Sequence, residues 1–185
     1  MSLVKETALD AMIRLGVPLQ LNLGIEEVDN PIACRLKPCE LYEIVGELAV
    51  GKTQVCYSIV ADQLMNTEYD VVWFDMNGSF RSERLLAYIE QNSPDSDRLY
   101  CLDRIFVCRI QDALSLFGAL KRVANSTEMD RVRLVIVDNI GCILEKTIWT
   151  MRDGGADMQR IILQALNDLT DDGVTVITTN HLVSF

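Results

Sequence analysis

The sequence predicts an α/β fold, a mostly parallel sheet flanked by helices. Three observations predict it. Short apolar runs of strand type alternate with stretches whose apolar residues recur at helical spacing. A glycine-bounded octet, Gly46–Thr53, sits between the first such run and the first such stretch. A later apolar run ends in Asp138. The 185 residues, 49% apolar and 24% charged, suit one globular domain.

The elements follow in order. Pro18, Pro31 and Pro38 break up the first forty residues. Within them Leu3, Val4, Ala8, Met12, Ile13 and Leu15 suit an amphipathic helix that docks on a partner or on its own core. The expected organisation is a lead-in or partner-docking segment, 1–40, and a core, 41–185. Strands are expected at Leu41–Val45, Val71–Asp75, Ile105–Arg109, Arg133–Asp138 and Val174–Thr178. Their β-branched and aromatic runs suit strands buried on both faces. After Lys52, the residues Val55, Cys56, Ile59, Val60 and Leu64 mark a helix. Met158, Ile161, Ile162, Ala165, Leu166 and Leu169 mark another, whose stripe packs on the sheet. Gly173 stops it before the last strand.

Composition excludes several classes. There are 17 basic and 27 acidic residues, so the formal charge is −10. That counts against a free-standing nucleic-acid binder, which carries a basic footprint. Six cysteines form no C-x-x-C pair and His181 is the single histidine, which argues against zinc. Cys56 and Cys108 lie in apolar runs, as reduced cysteines do. No apolar run is long enough for a membrane span, and the start lacks a secretory h-region.

The octet carries the chemistry. Gly46-Glu47-Leu48-Ala49-Val50-Gly51-Lys52-Thr53 matches G-x-x-x-x-G-K-[ST] at every fixed position, after a strand and before a helix. Its glycines let backbone N–H groups turn inward on phosphate oxygens. Lys52 supplies charge for the β- and γ-phosphates, and the Thr53 hydroxyl suits Mg²⁺. The helix N-terminus adds partial positive charge. ATP and Mg²⁺ are the cofactors expected. A decayed loop that no longer binds nucleotide is the alternative. Asp138, at the end of Leu134-Val135-Ile136-Val137, is placed to reach the same Mg²⁺. The strand between the two motifs favours the RecA-like branch of phosphate-loop proteins.

Over residues 40–181 the chain resembles the eukaryotic and archaeal RecA-like recombinases and their non-catalytic paralogues. The residues that carry the resemblance are Glu43-Ile44-Val45-Gly46-Glu47 and Gly51-Lys52-Thr53-Gln54-Val55-Cys56. Phe74-Asp75-Met76-Asn77-Gly78-Ser79-Phe80-Arg81-Ser82-Glu83-Arg84-Leu85 is similar to the family's D-T-E-G-T-F-R-P-E-R-L. Val176-Ile177-Thr178-Thr179-Asn180-His181 is similar to its I-T-N-Q. The resemblance implies the RecA core fold. It implies that Gln54 belongs to the nucleotide site, that Arg84 stacks on adenine and that Thr53 and Asp138 ligate Mg²⁺. Asn77 stands where the family has its catalytic Glu, and an amide cannot accept the proton of an attacking water. His181 stands where the family has its γ-phosphate-sensing Gln, and it too can donate a hydrogen bond. Asp75 is a weak candidate for a substitute base.

The resemblance therefore implies a paralogue subunit that binds ATP with slow or absent hydrolysis. Its partners would be another paralogue or the recombinase itself, in homologous-recombination repair. It would act in the nucleus, with the cytoplasm also open, and touch DNA weakly or through its partners. The stretch Gly141–Asp157 is expected to form a DNA-facing loop, poor in cations, with Trp149 as its aromatic residue. The chain is expected to lack the N-terminal DNA-binding domain and the strands that follow the last motif. An active DNA-dependent ATPase is the rival reading. A phosphate-loop kinase for a small metabolite is a third.

Overall fold

A computed structural model of the chain describes residues 36–92, 98–150 and 155–181. The expected lead-in segment lies outside these residues up to position 35, as do Arg152, Asp153 and the side chain of Trp149.

Five strands alternate with helices. They are β1 (Leu41–Gly46), α1 (Lys52–Asn66), β2 (Asp70–Asp75), α2 (Ser82–Asn92), α3 (Arg98–Asp103), β3 (Ile105–Arg109) and α4 (Ala113–Asn125). Then come β4 (Val132–Asp138), α5 (Gly141–Thr150), α6 (Gly155–Asp171) and β5 (Thr175–His181). The sheet order is β1-β5-β4-β2-β3, and every pair is parallel. All five expected strands are present to within three residues at either end.

Side-chain alternation splits the strands between two cores. Val71, Trp73, Leu134, Ile136 and Ile177 face one side, with Cys56, Ile59, Val60 and Leu64 of α1 and Leu85 and Ile89 of α2. Val72, Phe74, Val135, Val137 and Val176 face the other, with Leu116 and Leu120 of α4 and Ile162, Ala165, Leu166 and Leu169 of α6. The α6 stripe thus packs on the sheet as its spacing predicts, except that Ile161 lies 42% exposed. Gly173, with φ +89°, ends the turn after α6, and the Val174 N–H bonds back to the Leu169 carbonyl.

Two differences from the expectation are local. Most of Gly141–Asp157 is helical, as α5 and the start of α6, rather than loop. Ile140 caps this entry by accepting the N–H groups of Ile143 and Leu144. At the other face, Arg104 is buried and its guanidinium donates to the carbonyls of Leu64, Thr67 and Tyr69. It satisfies the C-terminal end of α1, which a polar residue before a strand did not announce.

The register sets out what the site needs. Gly46 pairs with His181, Asp75 with Asp138, and Asp75 with Arg109. Residues far apart in sequence therefore meet along one end of the sheet, outside the carboxyl ends of the strands.

Candidate nucleotide-binding site

The phosphate loop links β1 to α1. Gly51 is the N-cap of α1 at φ +102°, a left-handed conformation that favours glycine. A Cβ on Gly46 would stand 2.9 Å from Val50 Cγ2, so the loop closes tightly over this position. Ala49 also lies at positive φ. No side chain caps the first turn of α1, which leaves its N–H groups directed at the cleft.

Lys52 is only 8% exposed and spans the loop, donating from Nζ to the carbonyls of Gly46 (2.8 Å) and Glu47 (2.7 Å). The Thr53 hydroxyl donates to Asp138 Oδ2 at 2.9 Å. Asp138 is 2% exposed, and further hydroxyls of Ser79 (3.4 Å) and Thr179 donate to its carboxylate. A buried carboxylate needs such donors to offset lost hydration. A cleft of about 310 Å³ opens over Leu48, Ala49, Gly51, Lys52, Thr53 and Gln54 on one wall and Asn77, Ser79, Asp138, Asn139 and His181 on the other. Among the described residues the buried His181 Nδ1 has no partner. An uncapped helix start, a buried ammonium and a hydroxyl–carboxylate pair form the donor set that a nucleotide triphosphate with Mg²⁺ requires.

The other expected residues fall as follows. Arg84, on α2, is exposed beside the first turn of α1; its Nε donates to Gln54 Oε1 at 2.8 Å, and it lies 5.7 Å from the Tyr88 ring centroid. Asn77 reaches the cleft from the β2–α2 turn, and its Oδ1 accepts the Ser79 N–H at 3.0 Å. Asp75 does not line the cleft. Its carboxylate accepts the N–H groups of Gly78 (2.8 Å), Ser79 (3.0 Å) and Phe80 (3.3 Å), so it holds that turn together. Tyr57 supports the turn from below, accepting the Arg81 N–H at 2.6 Å while stacking on Trp73. Burial pushes its phenol upward, and burial with the nearby Asp138 pushes the Cys56 thiol far above its usual range.

Sequence reasoning assigned no role to Ser79, Asn139 or Thr179. Hydroxyl residues are common in strands and turns, so nothing marked these. The weak signal was the period of two that sets Thr179 and His181 on one face of β5.

Fold and cleft together define an α/β core of the RecA-like phosphate-loop type. The chain belongs to the Rad51 family, whose model matches residues 16–185. It is 34% identical over 179 residues to RAD51-like protein 1 of Caenorhabditis elegans, covering 96% of this chain and 70% of that protein. It is 29% identical over 170 residues to DNA repair protein RAD51 homolog 4 of Mus musculus, covering 88% and 52%. It is 25% identical over 187 residues to the meiotic recombination protein DMC1 homolog of Arabidopsis thaliana, covering 96% and 54%. The chain thus spans about half the length of the last two relatives. No helix among the described residues is long and apolar enough to cross a membrane.

Proposed function

We propose that this chain binds ATP with Mg²⁺ in the Gly46–Thr53 cleft, hydrolyses it slowly or not at all, and serves as a recombinase-paralogue subunit. In this reading it pairs with another paralogue or with the recombinase, and assists the recombinase filament in homologous-recombination repair in the nucleus. DNA contact is weak or made through those partners, in keeping with the charge of −10.

The single observation that carries the nucleotide reading is the Thr53–Asp138 hydrogen bond beside Lys52. Lys52 would neutralise phosphate charge, and Thr53 and Asp138 would hold Mg²⁺. When bound, the ion spreads the charge of the phosphate oxygens. Gln54 and Arg84 form an edge suited to the base, since a guanidinium stacks on a π-face. Asn77 can orient water and cannot take its proton. Asp75 offers no ready substitute, because three backbone N–H groups occupy its carboxylate. The likeness to the mouse DNA repair protein RAD51 homolog 4 supports the repair role.

Calorimetric titration with MgATP and a phosphate-release assay test this. Wild type is expected to bind with little turnover. Lys52→Ala is expected to weaken binding by about tenfold or more, and Asn77→Glu to raise turnover. Brisk wild-type turnover that Lys52→Ala abolishes would favour the ATPase reading instead. A tagged pull-down that returned no Rad51-family protein would remove the partner role.

A further inference from the structure

A second cleft, of about 600 Å³, adjoins the first and shares Asn77 with it. Met76, Arg109, Gln111, Cys142 and Glu145 complete its lining. Arg109 ends β3 in an exposed position, and among the described residues no hydrogen bond or ion pair engages its guanidinium. In so acidic a chain that is unexpected for a side chain with five donors.

Its position explains why it stays. Arg109 pairs in register with Asp75, so both side chains rise from the same face of adjacent parallel strands. The main chain reinforces this, since the Ile110 N–H donates to the Asp75 carbonyl. Gly78 lies between the two side chains. Its N–H points to Asp75 Oδ1, and a Cβ on Gly78 would stand 2.6 Å from Arg109 Nη2 and 2.9 Å from Cζ. The planar guanidinium therefore lies against the Gly78 main chain, and a side chain at position 78 would have to displace it. Gly78 also has φ +74°. The Asp75 carboxylate and the Arg81 guanidinium, which donates to the Gly78 carbonyl at 2.9 Å, bond the turn, and the Arg109 guanidinium packs against its remaining side.

We propose that Arg109 is a positioning residue: pressed on Gly78, it fixes the β2–α2 turn and thereby places Asn77 and Ser79 in the nucleotide cleft. Ser79 donates to Asp138, so the turn lies beside the Thr53–Asp138 pair, the end of the cleft that takes the terminal phosphate. Loss of the clamp should therefore weaken ATP more than ADP. This consequence rests on the nucleotide reading above; the clamp itself does not.

Two measurements on the full chain separate them. Hydrogen exchange without nucleotide is compared for wild type and Arg109→Ala. The Gly78 and Ser79 amides are expected to exchange about tenfold faster in the variant, with β4 amides unchanged. Unchanged exchange at Gly78 and Ser79 would overturn the clamp. Fluorescence titration with the labelled nucleotides mant-ATP and mant-ADP gives the second readout. Arg109→Ala is expected to weaken mant-ATP about fivefold and mant-ADP less than about twofold. Arg109→Lys, which keeps the charge and loses the plane, should behave like Ala. Equal weakening of both nucleotides, or full rescue by Lys, would overturn the positioning role. A wild type that bound neither nucleotide would sink the nucleotide reading, while the exchange result would still decide the clamp.

Discussion

At the scale of single residues the site turns on one buried carboxylate. Asp138 accepts from Thr53, Ser79 and Thr179, and Thr179 is fully buried. Thr179→Val keeps the shape and removes a donor, leaving Asp138 Oδ1 short of a partner in the core. Such a loss costs about 1–3 kcal/mol. Urea denaturation should show a lower midpoint with an unchanged slope; an unchanged midpoint would mean that Thr179 is dispensable to Asp138. The division between legible and illegible residues follows from this chemistry. Lys52 and Thr53 could be named from sequence because the loop motif fixes those types at that spacing, and Asp138 because it ends a buried apolar strand downstream of the loop. Thr179 and Ser79 could not, because what they do depends on the carboxylate that strand pairing brings to them. Asp75 was visible as an acid, but its three N–H donors are set by a turn conformation that the sequence only hinted at through Asn77-Gly78.

At the scale of elements, buried strands were the most legible, because runs such as Leu134–Val137 have to be apolar on both faces. Helices with a split environment were less so. The α5 segment was expected as loop because the resemblance implies a DNA-facing loop there, yet Ile143 packs into the core and draws it into a helix. Capping gives a direct test of one helix. Asp112 is the N-cap of α4, accepting the Ser115 N–H at 2.8 Å and the Ser115 hydroxyl at 2.7 Å. These bonds hold its carboxyl below the usual carboxylate range. Its stabilisation is therefore fully present above the unfolded value and fades as pH falls through the lower folded one. Asp112→Ala should cost about 1 kcal/mol at pH 7. The difference between variant and wild type should shrink as the pH drops below about 4, near the ordinary carboxylate value. Thermal melts across pH give the comparison, and a difference that grew toward acid pH would contradict the cap.

At the scale of the whole molecule, strand order is what sequence did not convey. Alternating strands and helices imply a parallel sheet in many orders, and the order β1-β5-β4-β2-β3 is what sets Gly46 beside His181 and Asp75 beside Asp138. The cleft therefore draws on β1, β2, β4 and β5 together, elements separated by up to 135 positions from Gly46 to His181 (181 − 46). A ligand held there is bound by the folded sheet and by no part of the unfolded chain, so its binding free energy adds to global stability. At a concentration of 100 times Kd that amounts to about 2.7 kcal/mol. For a chain of 185 residues, each kcal/mol raises Tm by about 2–4 °C, so saturating MgATP should raise it by about 5–11 °C. The shift should grow with the logarithm of ligand concentration and shrink by about half or more in Lys52→Ala. It should also move the melts seen by Trp fluorescence, with Trp73 fully buried, and by circular dichroism together, because one cleft ties four of the five strands. A shift confined to one probe would mean that the cleft stabilises only its own neighbourhood, and that the two cores unfold separately.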